Sequence, residues 1–159
     1  MDTTKLDFIQ RQFPLLLHNL SASSQGKWGK MNAQQMIEHV TGFFKVSSNK
    51  LHFPLVSPSE HLPKLKAFLL SDKEFRENTK APTSVIGEDP LPVRTNTIEE
   101  AINALQQSID EFVEYFKGDD YKTTLHPVFG ELNFEEWVLL HYKHVVHHAK
   151  QFGLMGAEN

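Results

Sequence analysis

Four segments of this 159-residue chain carry apolar residues at every third or fourth position, and this periodicity limits the fold more than any other feature. Such spacing puts the apolar side chains on one face of an α-helix. The segments span residues 4–19, 32–47, 97–118 and 133–153. Because strand signals are few, we predict an all-α fold in which four amphipathic helices pack as a four-helix bundle.

Helix-start signals support these bounds. Asn32, Thr97 and Asn133 each stand where an N-cap is expected, and Glu136 follows Asn133 by three residues, as in a capping box. Pro14 falls inside the first segment, where proline lacks an amide hydrogen and its ring clashes with the preceding turn. We therefore expect a kink or break in the first helix and defined starts for the other three.

A proline-rich segment, residues 49–96, separates the second helix from the third and contains six of the eight prolines. Only residues 60–70 look helical, so we expect a long irregular connection with one short helix. Connections of this length usually cover a site or cross over a bundle, and the sequence leaves both roles open. A crossover would let the second and third helices run parallel. The chain length fits a single domain over residues 1–159.

Composition excludes several kinds of chemistry. The chain has no cysteine and nine histidines, so disulfides, thiolate metal sites and cysteine nucleophiles are ruled out. A bound metal would need nitrogen and oxygen ligands. With 16 basic and 20 acidic residues the net charge is −4, which argues against DNA or RNA as a partner.

The sequence also lacks targeting and membrane signals. Its N-terminus has no apolar core of the kind found in signal peptides. No stretch approaches the ~18–20 uninterrupted apolar residues of a membrane span. We therefore expect a cytoplasmic protein that has no membrane partner.

Histidines cluster in the last predicted helix, where His141, His144, His147 and His148 fall within eight residues. His144 and His148 lie about 40° apart around the helix and ~6 Å apart along it, so their imidazoles can converge on one ion. His141 and His148 are roughly 10 Å apart, so one helix supplies about two ligands. His39 is the best third ligand, because it lies in the apolar stripe of the second helix and needs a partner there. Spacing therefore predicts a metal site of His39, His144 and His148.

Other interpretations of these histidines stay open. His141 and His144 form a second possible pair, at i and i+3. A single histidine on a core face is more often a hydrogen-bonded structural residue than a ligand, which makes a non-catalytic bundle the alternative. We expect His147, about 100° around the helix from His148, to face solvent or to contact a metal ligand from outside. The remaining unpatterned histidines are expected to be ordinary surface or loop residues: His18, His52 and His61.

Two motifs resemble the DinB/YfiT-like superfamily. The sequence KWGKMNAQQMIEHV, residues 27–40, is similar to the start of that superfamily's second helix, which leads to a metal-binding histidine. The sequence HVVHHAKQFG, residues 144–153, is similar to its closing His-x-x-x-His-x-x-Gln motif. HPVFG at residues 126–130 and the Glu136-Trp137 pair are similar to one branch of it, whose members are largely of unknown function.

The resemblance implies a bundle of up-down-down-up topology with a divalent ion near one end, bound by His39, His144 and His148. Characterised members of the superfamily include transferases and isomerases that use low-molecular-weight thiols, and others are described as metal-dependent hydrolases. The proline-rich connection departs from this pattern and could reshape the mouth of a pocket.

We therefore expect a metal-dependent enzyme that acts on a small molecule, with Zn²⁺ or Ni²⁺ as cofactor. A thiol-dependent transferase is the leading hypothesis and a hydrolase the alternative, because both need an open metal position. Gln151, His126 and His147 are candidates for orienting a ligand or moving a proton. A solvated or capping role for Gln151 and a turn role for His126 stay open. An exposed apolar helix face would fit a homodimer.

Overall fold

α-Helices make up most of the computed structural model of this protein, which describes residues 1–87 and 89–156. In chain order the helices are α1 (Thr3–Asp7), α2 (Phe13–Leu17), α3 (Ala33–Ser47), α4 (Leu62–Leu70), α5 (Thr83–Ile86), α6 (Ile98–Phe116) and α7 (Phe134–Gln151). Two short strands, β1 (Thr124–His126) and β2 (Gly130–Leu132), lie between α6 and α7. The prediction of a mainly helical chain is confirmed. Within the described ranges, none of the helices combines the length and apolar character needed to cross a membrane.

The long helices begin at the caps that the sequence predicted. The side chain of Asn32 accepts a hydrogen bond from the backbone of Gln35, whose side chain accepts one from the backbone of Asn32. Asn133 and Glu136 form the same reciprocal pair at the start of α7, and Thr97 caps α6. These caps satisfy backbone N–H groups that a helix start leaves unpaired. They fix where α3 and α7 begin, and therefore which face each histidine occupies.

The first helical region is interrupted just before Pro14. A π-helical segment, Phe8–Gln12, follows α1, and α2 then begins with Pro14 in its first turn. Proline is well tolerated there because a first-turn residue needs no backbone donor. The predicted break is therefore confirmed, and it takes the form of a wider helical turn.

A small antiparallel sheet is the main element that the sequence prediction missed. β1 and β2 pair with His126 opposite Gly130. Nδ1 of His126 accepts hydrogen bonds from the backbone N–H groups of Val128 and Phe129, and Gly130 has a φ of 81° that favours glycine. Strands of three residues are too short to show an alternating pattern. The all-α expectation is therefore roughly consistent with the structure, which adds this one small sheet among the described residues.

The connection between α3 and α6 is largely irregular, as predicted. The helix expected at residues 60–70 is present as the 3₁₀ turn Ser59–His61 followed by α4, whereas α5 was not predicted. The end of the connection is bonded to α3. The Glu38 carboxylate accepts hydrogen bonds from the backbone N–H groups of Arg94 and Thr95 and from the Thr95 hydroxyl. The connection therefore returns to α3 beside His39.

The hydrophobic core fixes α3 relative to the helices around it. α3 packs along α6, and α7 contacts α1, α3 and α4. Large side chains at these contacts are fully buried, and the Phe44 and Phe112 rings meet edge-on with their centroids 5.7 Å apart. Burying a side chain of this size contributes roughly 1.5–3 kcal/mol. The Phe44 ring also stacks on His141 of α7, so the core holds together α3 and α7, the two helices that carry the candidate metal ligands.

Candidate metal centre

Three imidazole rings meet where α3 packs against α7. His39 comes from α3, and His144 and His148 lie one turn apart on α7. Nε2 of His144 is 3.1 Å from Nε2 of His39 and 3.0 Å from Nε2 of His148. One nitrogen of each ring lies within 4.8 Å of a nitrogen of the other two. The structure therefore brings together the three side chains that the sequence singled out.

Burial keeps these rings uncharged at neutral pH. Desolvation, with a smaller effect from His147, lowers the pKa of His39 to about 4. Desolvation is also the main reason why the pKa values of His144 and His148 lie well below the ordinary 6.5, and neighbouring histidines lower them further. A neutral imidazole keeps a lone pair on one nitrogen, which is the form that binds a metal ion.

The side-chain amide of Gln151 fixes the tautomer of His148. Its Oε1 lies 2.6 Å from Nδ1 of His148, and its Nε2 donates a hydrogen bond to the carbonyl oxygen of Trp28 at 2.8 Å. Because the amide nitrogen faces Trp28, the atom that faces His148 is the oxygen, which only accepts. Nδ1 of His148 must therefore carry the hydrogen. The lone pair of the ring is on Nε2, the nitrogen that points to His144.

The sequence matches a known protein family over nearly its whole length. A family model described as a protein of unknown function (DUF1569) matches residues 5–155. The chain belongs to the DUF1569 family. No curated protein and no solved structure matches it. The description of the DUF1569 family names no activity, so the chemistry has to be inferred from the site itself.

In this DUF1569 protein His126 contacts Phe43, a residue that borders the histidine cluster. Its ring stacks on Phe43 with the centroids 5.7 Å apart, and Phe43 contacts the rings of His39 and His144. Burial lowers the pKa of His126 to about 3, and its Nδ1 accepts two backbone hydrogen bonds from the turn that follows. His126 therefore has the turn role that the sequence left open, and its ring packs on Phe43.

His147 is buried, which corrects the expectation that it faces solvent. Only 8% of its surface is exposed. Its ring contacts Trp28 at a centroid distance of 5.4 Å, Phe75 at 6.0 Å and His148 at 5.2 Å. Burial lowers the pKa of His147, although the Phe75 backbone and Glu77 act in the opposite direction. The alternative expectation was that His147 contacts a candidate ligand from outside the cluster, and its contact with the His148 ring agrees with this.

The remaining histidines lie outside the cluster. Nε2 of His141 is 2.9 Å from the Ser47 hydroxyl, and its ring stacks on Phe44 at a centroid distance of 3.8 Å. His141 is thus a hydrogen-bonded core residue, and the alternative pair with His144 does not form. The histidines expected on the surface are exposed there: His18, His52 and His61.

Three residues that border the site were not identified from sequence. Phe43 lies one turn after His39, so helical spacing predicts that both side chains share a face, but it does not show that Phe43 contacts the ligands. Trp28 accepts the Gln151 hydrogen bond through its backbone, which carries no side-chain signal. Glu38 binds a segment more than 50 positions away along the chain, and local spacing cannot reveal such a contact.

Proposed function

We propose that this protein is a metal-dependent enzyme whose His39, His144 and His148 together bind one divalent metal ion. The observation that carries the proposal is the pair of short Nε2–Nε2 distances, 3.1 and 3.0 Å, that meet at His144. Two nitrogens that each lie ~2.0–2.1 Å from one ion are roughly 2.8–3.4 Å apart for angles between a right angle and the tetrahedral angle. These two spacings therefore fit a shared ion, and the third pair of nitrogens, on His39 and His148, lies within 4.8 Å.

Hydrogen bonding among the three rings is an incomplete alternative. Nε2 of His148 carries a lone pair, because the hydrogen of that ring is on Nδ1. Nε2 of a neutral His144 carries at most one hydrogen, so it cannot form a full hydrogen bond with both His148 and His39. A cation in contact with all three nitrogens would use every lone pair, which is why the arrangement suits a metal better than a purely structural network.

Imidazole nitrogens suit Zn²⁺, Ni²⁺, Cu²⁺ and Fe²⁺, and among these we favour Zn²⁺ or Ni²⁺. The chain has no cysteine that could add a thiolate ligand. When bound, the ion would act as a Lewis acid that lowers the pKa of a coordinated water or thiol toward neutrality. The chain's part is to present three uncharged nitrogens from two rigid helices. Gln151 keeps His148 in the required tautomer, as ligand-orienting residues do in known metal sites.

The burial of the three rings indicates the side from which a substrate would approach. His148 is buried, whereas His39 and His144 are partly exposed. Phe43, which contacts both of these rings, would give the approach one apolar wall. A small molecule with an apolar portion next to its reactive group would fit this side of the site.

Transfer involving a low-molecular-weight thiol is the reaction class that we favour. The motifs at residues 27–40 and 144–153 resemble the DinB/YfiT-like superfamily, and this resemblance supports an up-down-down-up four-helix bundle as well as thiol chemistry. Since the chain contains no cysteine, any thiol in the reaction must arrive with a substrate. A reducing, cytoplasmic setting would keep such a thiol available.

Metal analysis of protein purified without a polyhistidine tag tests the site. We expect stoichiometric Zn²⁺ or Ni²⁺ in the wild type and loss of that metal in His39→Ala and His148→Ala. His52→Ala is the matched control, because His52 is exposed and its ring nitrogen bonds to Asn49 and to none of the three candidate ligands. A wild type that neither contains metal nor takes up added Zn²⁺ would contradict the proposal.

An activity screen of the metal-loaded protein then separates the reaction classes. Thiol consumption in the presence of an electrophile, lost in His39→Ala, would support a transferase. Cleavage of ester or amide substrates without added thiol would support a hydrolase instead. Full metal occupancy with neither reaction would indicate a bundle that the metal stabilises without catalysis.

A further inference from the structure

A short loop flanked by glycines lies between the two helices that carry the candidate metal ligands, at the start of α3 and the end of α7. Residues 26–29, with the sequence Gly-Lys-Trp-Gly, form what we call the 26–29 loop. It precedes α3, which carries His39, and is closed at its base by an antiparallel bridge between Gln25 and Asn32, the N-cap of α3. The loop also reaches the last residue of α7, Gln151. It therefore links the start of one ligand-bearing helix to the end of the other.

The loop contacts Gln151 through both the backbone and the side chain. The backbone N–H of Lys27 donates to the carbonyl oxygen of Gln151 at 2.7 Å. The side-chain Nε2 of Gln151 donates to the carbonyl oxygen of Trp28 at 2.8 Å. The side chain is thus bonded at one end to the loop and at the other to Nδ1 of His148. Gln151 itself is only 3% exposed, so water does not compete for these bonds.

Both glycines are in contact with this side chain. A Cβ at Gly26 would lie 2.9 Å from Cγ of Gln151 and 2.8 Å from the carbonyl oxygen of Trp28. A Cβ at Gly29 would lie 2.8 Å from Nε2 of Gln151, and Gly29 also has a φ of +80°. These separations are shorter than a real Cβ atom tolerates, so any larger residue must displace the amide or the loop. The glycines leave only the space that the Gln151 side chain fills.

We propose that Gly26 and Gly29 are positioning residues for the candidate metal centre. By allowing the 26–29 loop to close on Gln151, they hold its amide with the oxygen toward His148, and His148 then presents the lone pair of Nε2 to the site. The inference rests on the proposed function for its metal readout, but the tautomer of His148 can be measured in the metal-free protein. The loop would act through Gln151, since residues 26–29 include none of the candidate ligands.

The first test is the ¹⁵N spectrum of the His148 ring in the metal-free wild type. We expect Nδ1 to carry the hydrogen and Nε2 to show the shift of an unprotonated nitrogen. A ring that is protonated on Nε2, or a mixture of tautomers, would overturn the inference without any variant. This test does not depend on whether the protein binds metal.

Alanine variants with matched controls form the second test. Gly26→Ala and Gly29→Ala should mix the His148 tautomers and lower Zn²⁺ affinity roughly 10- to 100-fold, the range for residues that orient a metal ligand. Gly118→Ala controls for backbone strain, since Gly118 has a φ of +82° but nothing within 4 Å of its Cβ position. Gly42→Ala controls for the added methyl group, since that position is also open. Equal affinities in all four variants and the wild type would contradict the proposal.

A double-mutant cycle distinguishes this positioning role from a general loss of structure. In a Gln151→Ala background the amide is absent, so adding Gly26→Ala should cause no further loss of Zn²⁺ affinity. A full additional loss in that background would show that Gly26 acts by another route and would refute the proposal. If the wild type binds neither Zn²⁺ nor Ni²⁺, the proposed function is wrong, and the His148 tautomers of the wild type and the two glycine variants still decide the role of the loop.

Discussion

Oε1 of Gln151 and Nδ1 of His148 lie 2.6 Å apart, so an amide at the end of α7 determines which nitrogen of a candidate ligand carries its hydrogen. The same amide is bonded to the backbone of Trp28, which comes from a different part of the chain. The orientation of the His148 imidazole thus depends on a contact between the end of α7 and the loop that precedes α3. The stability and metal affinity of the protein should reflect this dependence.

Replacement of Gln151 should weaken metal binding without unfolding the protein. Gln151→Ala removes the acceptor for His148 Nδ1, and we expect Zn²⁺ affinity to fall roughly 10- to 100-fold in a competition titration with a chelator. Gln107→Ala is a suitable control, because Gln107 is an exposed residue of α6 whose side chain bonds to Glu111 on the same helix. If both variants bind Zn²⁺ as tightly as the wild type, Gln151 has no part in the site.

Acid should destabilise the metal-free protein over a defined pH range. Burial lowers the pKa of His39 to about 4 and that of His126 to about 3, from an ordinary value of 6.5. Between about 6.5 and 4 the unfolded chain binds protons that the folded protein does not, so the free energy of unfolding falls as the pH falls. Each such histidine lowers the free energy of unfolding by up to about 1.4 kcal/mol for every unit by which the pH falls within this range.

The pH effect can be checked by urea unfolding at several values between neutral and mildly acidic pH. His126→Asn should reduce the slope of the unfolding free energy against pH by the equivalent of about one bound proton. Asparagine can still accept the backbone hydrogen bonds of the turn, but it does not titrate. An unfolding free energy that is independent of pH across this range would contradict the assignment of neutral buried histidines.

Removal of the Glu38 carboxylate should release the end of the proline-rich connection. Glu38→Ala leaves the N–H groups of Arg94 and Thr95 without their acceptor, and we expect a loss of about 1–3 kcal/mol in the free energy of unfolding. Faster hydrogen exchange at those two amides would locate the effect. Glu114→Ala breaks only an exposed ion pair with Lys117, so its cost should stay within about 0.5 kcal/mol. Equal costs for the two variants would argue against an anchoring role.

Lys143 should anchor the segment that covers His147. Its Nζ donates to the backbone carbonyl oxygens of Ser71 and Lys73 after α4, and it lies 4.9 Å from the centre of the Phe68 ring. Lys143→Met keeps the apolar stem but removes the donor, so we expect faster hydrogen exchange over residues 71–75 and a loss of about 1–3 kcal/mol. Lys64→Met, on the exposed side of α4, serves as the control. Unchanged exchange in Lys143→Met would show that the segment is held by other contacts.

Features determined by neighbouring residues were predictable from the sequence. The capping residues Asn32 and Asn133 fixed the helix starts, and the four-residue spacing of His144 and His148 placed both on one face of α7. Predicting His39 as the third ligand needed a further argument, since its partners lie on another helix. That argument is that a polar residue in an apolar stripe needs a polar partner.

Features determined by distant contacts were not predictable from spacing. His147 is buried because Trp28 and Phe75, from two other parts of the chain, contact its ring. The β1–β2 pair is too short to leave a pattern, and it depends on a turn that His126 stabilises through its ring nitrogen. Such contacts are set by the packing of the whole chain, which a single sequence does not display.

Zinc-edge X-ray absorption of the stoichiometrically loaded, untagged protein tests the central claim most directly, because it reports the atoms around the ion. We expect three imidazole nitrogens at ~2.0–2.1 Å in the wild type and a shell with fewer imidazoles in His144→Ala. A wild-type shell without imidazole scattering, or a spectrum that His144→Ala leaves unchanged, would show that His39, His144 and His148 do not bind the metal.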